Sequence, residues 1–388
     1  MFKRKRSKNS LEIYFFNVKK GDSILLRFPD GKVGIIDCNY DNKSKDPPLL
    51  RALKNLAIKS VLFVAISHPH ADHYKGFKKV IEYIDGNNIP VEYFIDFGIG
   101  EISELFDFKE ALSGLSFYKK DCLDFKAIYD FYNKRLADGK SKIEYMPAVG
   151  FDAVLLTTNG WAMKSYAPFH DDLLFYRKML FSFMREKKFA DDLIDHNILS
   201  SLLVLYMQKF SITFGGDVPC KQWEKVICRL NKIERSLNTC LLKVSHHGSL
   251  SSHFGRLFQS VFEGCDSFGK VGIISCGHGV RGLPHFDVIR DLITNRVLPF
   301  CTNRSHNCRT IKKFNGPELS RSALSYLEND LYPEEESCFG NILVRVCDNE
   351  IQEIITESAD KCIVAEKNEL KQSIPLRVDR KLWRELLQ

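Results

Sequence analysis

Short apolar runs separated by polar turns predict a chain in which strands and helices alternate. Runs rich in β-branched and aromatic residues, bounded by turn residues, predict strands. They span residues 24–28, 33–37, 60–66, 200–207, 210–214, 241–244, 272–276, 340–346 and 350–356. Apolar positions at helical spacing predict helices over residues 47–57, 73–83, 221–229 and 286–293. This alternation is typical of an α/β protein.

The length and apolar content of the chain predict one large domain. The chain has 388 residues, of which 44% are hydrophobic, and this is enough to bury an extensive core. We expect the domain to cover residues 11–356, between a basic arm, residues 1–10, and a C-terminal extension, residues 357–388. Insertions are predicted at about residues 101–139, 167–195 and 303–336. The first two are helix-prone and could be lids, surfaces for a protein partner, or extra helices on the core.

The most informative stretch is His68-Pro69-His70-Ala71-Asp72-His73, directly after the predicted strand 60–66. Alternating residues of an extended backbone project to one side, so His68 and His70 share a face. Asp72 and His73 follow where the chain would turn into a helix. Four ligands can therefore converge without help from distant residues. Imidazole together with carboxylate suits Zn, Fe or Mn, and the stretch predicts a metal-binding loop at the end of a strand.

This loop resembles the signature of the metallo-β-lactamase fold superfamily of metallohydrolases. Two further runs, Gly21-Asp22-Ser23 and residues 243–249 (Lys-Val-Ser-His-His-Gly-Ser), are similar to the hydrolase domain of ComEC/Rec2-type competence proteins. The matches extend over residues 11–356. The resemblance implies a four-layer αββα sandwich with helical insertions and with metals at one edge.

The resemblance also implies two divalent metal ions, Zn or Mn, held by residues from four parts of the chain. One metal would be bound by a first set of ligands and the other by a second set, with a bridging carboxylate between them. The first set is His68, His70 and His196, the second is Asp72, His73 and His247, and the bridge is Asp217. Asp37 is expected to support the metal-binding loop from behind.

Several of these assignments have alternatives. His196 directly precedes the strand pair that ends at Asp217, but Asn197 or His170 could take its place. His247 is favoured over His246 as the ligand, by analogy with related histidine-containing strand ends, and the other histidine should face substrate. Late in the chain the resemblance expects a histidine where Leu283 stands, and His285 or His278 could replace it. A separate zinc site that includes Cys301, His306 and Cys308 lacks an evident fourth ligand.

The constellation predicts hydrolysis by an activated water. Two cations about 3.5 to 4 Å apart lower the pKa of a shared water and neutralise charge as an oxygen leaves, which matches phosphodiester chemistry. Asp72 would orient the hydroxide. His246 or His285 would stabilise the transition state or protonate the leaving group.

Charge, apolar runs and cysteines limit the setting in which the protein works. The net charge of +7 allows a polyanionic substrate such as nucleic acid and does not demand one. No apolar run reaches the roughly 18 residues of a membrane span, so we expect no membrane anchor. The 12 cysteines include no CxxC pair, and this pattern suits unpaired thiols in a reducing cytoplasm.

Three functions are compatible with the sequence. The first is a metal-dependent phosphodiesterase or nuclease. The second is a hydrolase of a small molecule or peptide bond. The third is a hydrolase subunit of a multi-protein system, such as anti-phage defence, in which the insertions bind a partner. The superfamily performs several reactions with one metal core, so sequence leaves the substrate open.

Overall fold

The computed structural model describes residues 10–41, 43–98, 119–137, 143–186, 195–265, 269–277, 282–303, 338–347, 350–358 and 374–388. The basic arm before Ser10, most of insertion 303–336 and parts of the other two insertions lie outside the described residues. His278 and the His306/Cys308 pair also lie outside them.

The strands form two mixed sheets, one of nine strands and one of seven. Their order in the first sheet is β16-β15-β14-β1-β2-β3-β4-β5-β6 and in the second β13-β12-β11-β10-β9-β8-β7. The strands are β1 Leu11–Phe15, β2 Ser23–Arg27, β3 Val33–Cys38, β4 Val61–Ala65, β5 Val91–Asp96, β6 Glu144–Pro147, β7 Ala153–Thr157, β8 Ala162–Ala167, β9 Leu202–Tyr206, β10 Ser211–Phe214, β11 Thr239–Lys243, β12 Lys270–Ile274, β13 Val297–Cys301, β14 Ile342–Cys347, β15 Glu350–Thr356 and β16 Leu376–Val378. Strands β3 to β6 are parallel, and so are β10 to β13.

Helices cover the outer face of each sheet. They are α1 Pro48–Asn55, α2 Ala71–Tyr74, α3 Phe77–Gly86, α4 Lys119–Ala137, α5 His170–Glu186, α6 Cys220–Lys232, α7 Leu257–Val261, α8 Phe286–Thr294 and α9 Arg380–Leu387. In α3 the buried residues are Phe77, Val80, Ile81 and Ile84, which is the spacing of an amphipathic helix that lays one stripe on a sheet.

Three apolar clusters define the layers. The middle cluster lies between the two sheets and contains Phe15, Phe63, Phe214 and Val271 from their facing sides. A second cluster joins the nine-stranded sheet to α1, α3, α4 and α9. A third joins the seven-stranded sheet to α6, α7 and α8. The predicted four-layer αββα sandwich is therefore confirmed.

The predicted helix over residues 73–83 is wrong as a single element. The chain forms α2 and α3 with a break at Gly76, whose N–H donates to the carbonyl oxygen of Cys38 at 2.7 Å. The carbonyl of Asp72 instead accepts from the N–H of Asp22 at 3.2 Å. The break thus ties the 68–73 loop to β3 and to the turn before β2.

The described parts of the insertions and of the C-terminal extension pack into the sandwich. Phe125 and Tyr129 of α4 are buried in the core, and the ring of Phe125 packs at a tilt against that of Tyr74, 4.8 Å away and next to the 68–73 loop. In the extension, β16 adds a parallel strand to β15, and Trp383 of α9 is fully buried. These elements therefore form part of the core.

One cysteine pair differs from the prediction of unpaired thiols. Cys240 and Cys265 form a disulfide, because β11 and the loop after α7 bring their Cα atoms to 5.6 Å. Other described cysteines, among them Cys38 and Cys276, carry free thiols. Among the described residues, no helix combines the length and apolar character that a membrane crossing needs.

Candidate metal centre

The residues predicted to bind metal gather at one edge of both sheets. The 68–73 loop follows the carboxyl end of β4, Asp217 follows β10, and His247 follows β11. Parallel neighbouring strands end at the same edge, so β3 and β4 bring their last residues together, and so do β10 and β11. The sandwich then places the two edges face to face.

Asp37 and Ser67 hold the 68–73 loop from behind. Asp37, at φ 54°, lies in the left-handed region, which is uncommon for a residue other than glycine. Its Oδ1 accepts from the N–H of Ser67 at 2.8 Å, and its Oδ2 accepts from the Ser67 hydroxyl at 2.7 Å and from Nδ1 of His73 at 2.7 Å. Asp37 thus lies where the sequence predicted a supporting carboxylate.

The first group of candidate ligands is His68, His70 and Asp217, whose donor atoms all lie within 4.8 Å of one another. His68 is fully buried and His70 is partly buried. Nε2 of His68 is 2.8 Å from Nδ1 of His70 and 3.8 Å from Oδ2 of Asp217. The backbone N–H of Asp217 donates to the Ser200 hydroxyl at 2.7 Å, which holds the backbone of this residue in place just after β10.

The second group is Asp72, His73 and His247, again within 4.8 Å of one another. Nε2 of His247 lies 3.8 Å from Oδ2 of Asp72, and Nε2 of His73 lies 3.5 Å from Oδ2 of Asp217. Oδ2 of Asp217 also lies 3.7 Å from Nε2 of His247. Asp217 therefore stands between the two groups, in the place expected of a bridge.

The donor atoms fit divalent cations. A carbonyl can only accept, so Nδ1 of His247 must donate to the carbonyl of Ser275 at 2.9 Å, and Nε2 of that ring is left to face the carboxylates. The same holds for His73, whose Nδ1 donates to Asp37. Nε2 of both rings and Oδ1 of Asp217 are buried and make no hydrogen bond among the described residues. Buried nitrogen and oxygen atoms of this kind need a partner, and a cation would supply it.

Burial and mutual charge shift the pKa values of these groups strongly. Burial, with His73 nearby, holds the pKa of His68 well below its usual value. Burial alone would raise the pKa of Asp217, but the neighbouring His73 and His247 outweigh it and lower that pKa well below the usual range. Burial would lower the pKa of His73, yet Asp217 and Asp37 raise it well above the usual value. The centre is thus a tightly coupled charged cluster, which is typical of functional sites.

Three other predicted residues surround these groups. The ring of His196 lies 5.3 Å from that of His70, with Nδ1 2.7 Å from the Tyr176 hydroxyl. His246 is about one quarter exposed, with Nε2 3.9 Å from Oδ2 of Asp217. His285 is the cap residue directly before α8, and its N–H donates to the carbonyl of Gly248, next to His247. Their catalytic or ligand roles remain predictions.

The geometry groups His247 rather than His246 with Asp72 and His73. His170, the alternative to His196, begins α5 and belongs to neither candidate ligand group among the described residues.

Sequence reasoning gave no role to several residues that shape the site. Asp22 and Lys243 lie in the quoted motifs, yet only the structure shows that they form a buried ion pair. Tyr176 comes from α5, more than a hundred residues from the 68–73 loop, and no local pattern links it to His196. For Lys243 a signal existed, since it is a lysine at the end of an apolar strand.

The turn before β2 needs glycine at position 21. Gly21 has φ +82°, and a Cβ there would lie 1.8 Å from the carbonyl oxygen of Asp72. Gly31 has φ +93° with nothing within 4 Å of such a Cβ, so it is a matched control. We expect Gly31→Ala to lower the free energy of unfolding by about 1–2 kcal/mol. Gly21→Ala should lower it by roughly 1–3 kcal/mol more, because it also displaces the metal-binding loop. Urea denaturation of both variants measures the difference, and equal losses would contradict the close approach.

Comparison with known proteins gives structural likenesses only. No family model matches the chain, and no curated protein matches it. A metallo-β-lactamase fold protein, YhfI from Bacillus subtilis, is 10% identical, with 76% of this chain and 97% of that one covered at a TM-score of 0.41. Unliganded yeast PDE1 is 11% identical, with the same coverage and a TM-score of 0.42. A diphosphatase of the PhnP family is 12% identical, with 69% and 77% covered at a TM-score of 0.33. At these values the likenesses carry no argument about activity.

Proposed function

We propose that this protein is a metallo-β-lactamase fold hydrolase, similar to the ComEC/Rec2 type, that cleaves phosphodiester bonds in nucleic acid with two divalent cations. The observation that carries the proposal is the convergence of two ligand groups on Asp217. Nε2 of His73, Nε2 of His247 and Oδ1 of Asp217 are buried and make no hydrogen bond among the described residues, and this supports cation binding.

His68 and His70 would hold one cation, with His196 beside them, and Asp72, His73 and His247 would hold the other. When bound, such a pair of cations, Zn or Mn, activates a water and neutralises charge on a leaving oxygen. Asp72 is the most accessible carboxylate of the two groups, with a side chain 17% exposed, and it can orient that water.

The groups at the mouth of the site favour an anionic substrate. Nζ of Lys20 lies 3.3 Å from Oδ2 of Asp72, and its side chain is 56% exposed. An ammonium there can contact a phosphate oxygen. His246 has its Nδ1 fixed by the Ser251 hydroxyl at 2.9 Å, so its Nε2 can face the reacting group and stabilise charge on it.

The test is cleavage of labelled single- and double-stranded DNA and RNA by metal-analysed protein with added Mn or Zn. The control is Asp72→Ala/His73→Ala. We expect cleavage by the parent protein, loss with a chelator, recovery on adding metal, and none in the control. Protein that holds about two metals and cleaves no nucleic acid would overturn the nuclease part of the proposal. It would turn attention to a small-molecule or peptide bond, or to a hydrolase subunit gated by a protein partner in a multi-protein system.

Metal binding should also stabilise the fold. A ligand that binds only the folded state adds about 2.7 kcal/mol at a hundredfold excess over its Kd. We therefore expect Mn or Zn to raise the unfolding temperature of the parent protein more than that of the Asp72→Ala/His73→Ala protein, which keeps only the group formed by His68, His70 and Asp217. Differential scanning calorimetry with and without metal measures this, and equal shifts in both proteins would place the stabilising cation elsewhere.

The proposal also includes residence in the cytoplasm, which fractionation of cells would test.

A further inference from the structure

A lysine lies inside the candidate metal centre. Lys243 ends β11, its side chain is fully buried, and its Nζ forms an ion pair with Oδ2 of Asp22. The same Nζ donates to the carbonyl oxygen of Gly216 at 3.0 Å and lies 4.0 Å from Oδ1 of Asp217. An ammonium is rarely buried to this extent unless it is paired, so the site is built around it.

The atoms around this ammonium resemble the surroundings of a cation. Asp22, Asp37 and His73 form a third buried group whose donor atoms lie within 4.8 Å of one another. Asp22 is itself 1% exposed, and its Oδ2 lies 3.8 Å from Nδ1 of His73. The Lys243 ammonium supplies positive charge at this acidic group from within the chain.

The contact with Gly216 links Lys243 to the predicted bridge. Gly216 has φ +46°, and its carbonyl lies in the peptide group that continues into Asp217. That carbonyl accepts hydrogen bonds from both the Lys243 ammonium and the N–H of His246. Two donors on one carbonyl restrict the rotation of this peptide, and the peptide sets the direction of the Asp217 side chain.

We propose that Lys243 is a positioning residue of the metal centre, an internal cation that orients Asp217 through the Gly216 carbonyl and offsets the charge of Asp22. This inference rests on the proposed function, since it assumes that Asp217 binds metal. The alternative is that the Lys243–Asp22 pair only stabilises the fold by joining β11 to the turn before β2.

The variant Asp22→Asn/Lys243→Met separates these roles. It removes one charge of each sign, so no unpaired buried charge is left and the net charge near the metals is unchanged. It also removes the donor to Gly216. The control is Glu12→Gln/Arg345→Met, which also removes one part-buried charge of each sign, 3.0 Å apart, at the end of β1 that lies away from the metal centre. Arg345 also pairs with Glu353, which keeps Arg377 as a partner in this control.

The measurement is Mn²⁺ affinity and stoichiometry by titration calorimetry, made on protein shown to be folded by circular dichroism. We expect Asp22→Asn/Lys243→Met to bind Mn²⁺ roughly 10- to 100-fold more weakly than the parent, as is usual when a group that orients a ligand is lost. The control should bind as the parent does. Unchanged affinity in the folded double variant would overturn the inference, while a parent protein that binds no Mn²⁺ or Zn²⁺ would overturn the proposed function itself.

The single variant Asp22→Asn provides a second test of the inference if the double variant does not fold. In Asp22→Asn the ammonium loses its carboxylate and can turn to Asp217, where it competes with a cation for the same oxygens. We expect weaker Mn²⁺ binding in this variant too. A change in unfolding temperature without a change in affinity would assign the pair to the fold alone.

Discussion

Replacing Asp217 with asparagine should remove the metals and the activity together. Oδ2 of Asp217 lies within 4 Å of His68, His73 and His247, so the carboxylate serves both ligand groups at once. An amide keeps the size of the side chain and removes its charge. Bound metals and the carboxylate that joins their sites would together stabilise the transition state by several kcal/mol. We therefore expect the rate of bis(p-nitrophenyl) phosphate hydrolysis to fall about a thousandfold or more.

The readouts are bound metal by mass spectrometry and the hydrolysis rate. The matched control is Asp130→Asn, an exposed carboxylate on α4 that should change neither. Asp217→Asn also leaves His73 without one of its three carboxylate neighbours, so circular dichroism must show that the variant is folded. If folded Asp217→Asn kept two metals and a rate within tenfold of the parent, Asp217 would not be the bridge.

The sequence predicted the parts of the site that depend on local patterns. The 68–73 loop combines a strand end, alternating imidazoles and a helix start within six residues, and the order of such features along a chain is a local property. The Gly216-Asp217 and His246-His247 runs each follow an apolar strand in the same way. Parallel pairing then brings strand ends to one edge, so the gathering of these residues follows from the fold class.

What the sequence did not predict depends on long-range packing. The contact between Tyr176 and His196 requires α5 to lie beside the turn before β9, and neither element specifies the other locally. The Lys243–Asp22 pair joins the two sheets across more than two hundred residues. The break at Gly76 was missed because the apolar spacing of a helix continues through it, while the hydrogen bond to Cys38 that causes the break is tertiary.

The C-terminal helix α9 also depends on long-range packing that the sequence did not predict, and this packing predicts a large loss of stability when its buried tryptophan is replaced. The resemblance ends near residue 356 and residues 357–388 are therefore predicted to be an extension, yet α9 packs against α1 in the outer layer of the nine-stranded sheet. Asn55 of α1 donates to the carbonyl of Leu386 at 2.9 Å, and Asp379 caps α9 by accepting from Leu382 at 2.8 Å. A helix that is capped, packed on α1 and hydrogen-bonded to it in this way belongs to the cooperative core.

Trp383→Ala should therefore lower the free energy of unfolding by about 3–5 kcal/mol, the usual cost of deleting a buried aromatic side chain. Its ring is fully buried and meets Tyr14 and Phe16 edge-on at 6.1 and 6.4 Å. Its indole N–H has no hydrogen-bond partner among the described residues, so Trp383→Phe keeps most of the packing and loses no hydrogen bond. We expect that variant to lose much less stability than Trp383→Ala. Urea denaturation of both measures the contrast, and a loss below about 1 kcal/mol for Trp383→Ala would show that α9 folds apart from the sandwich.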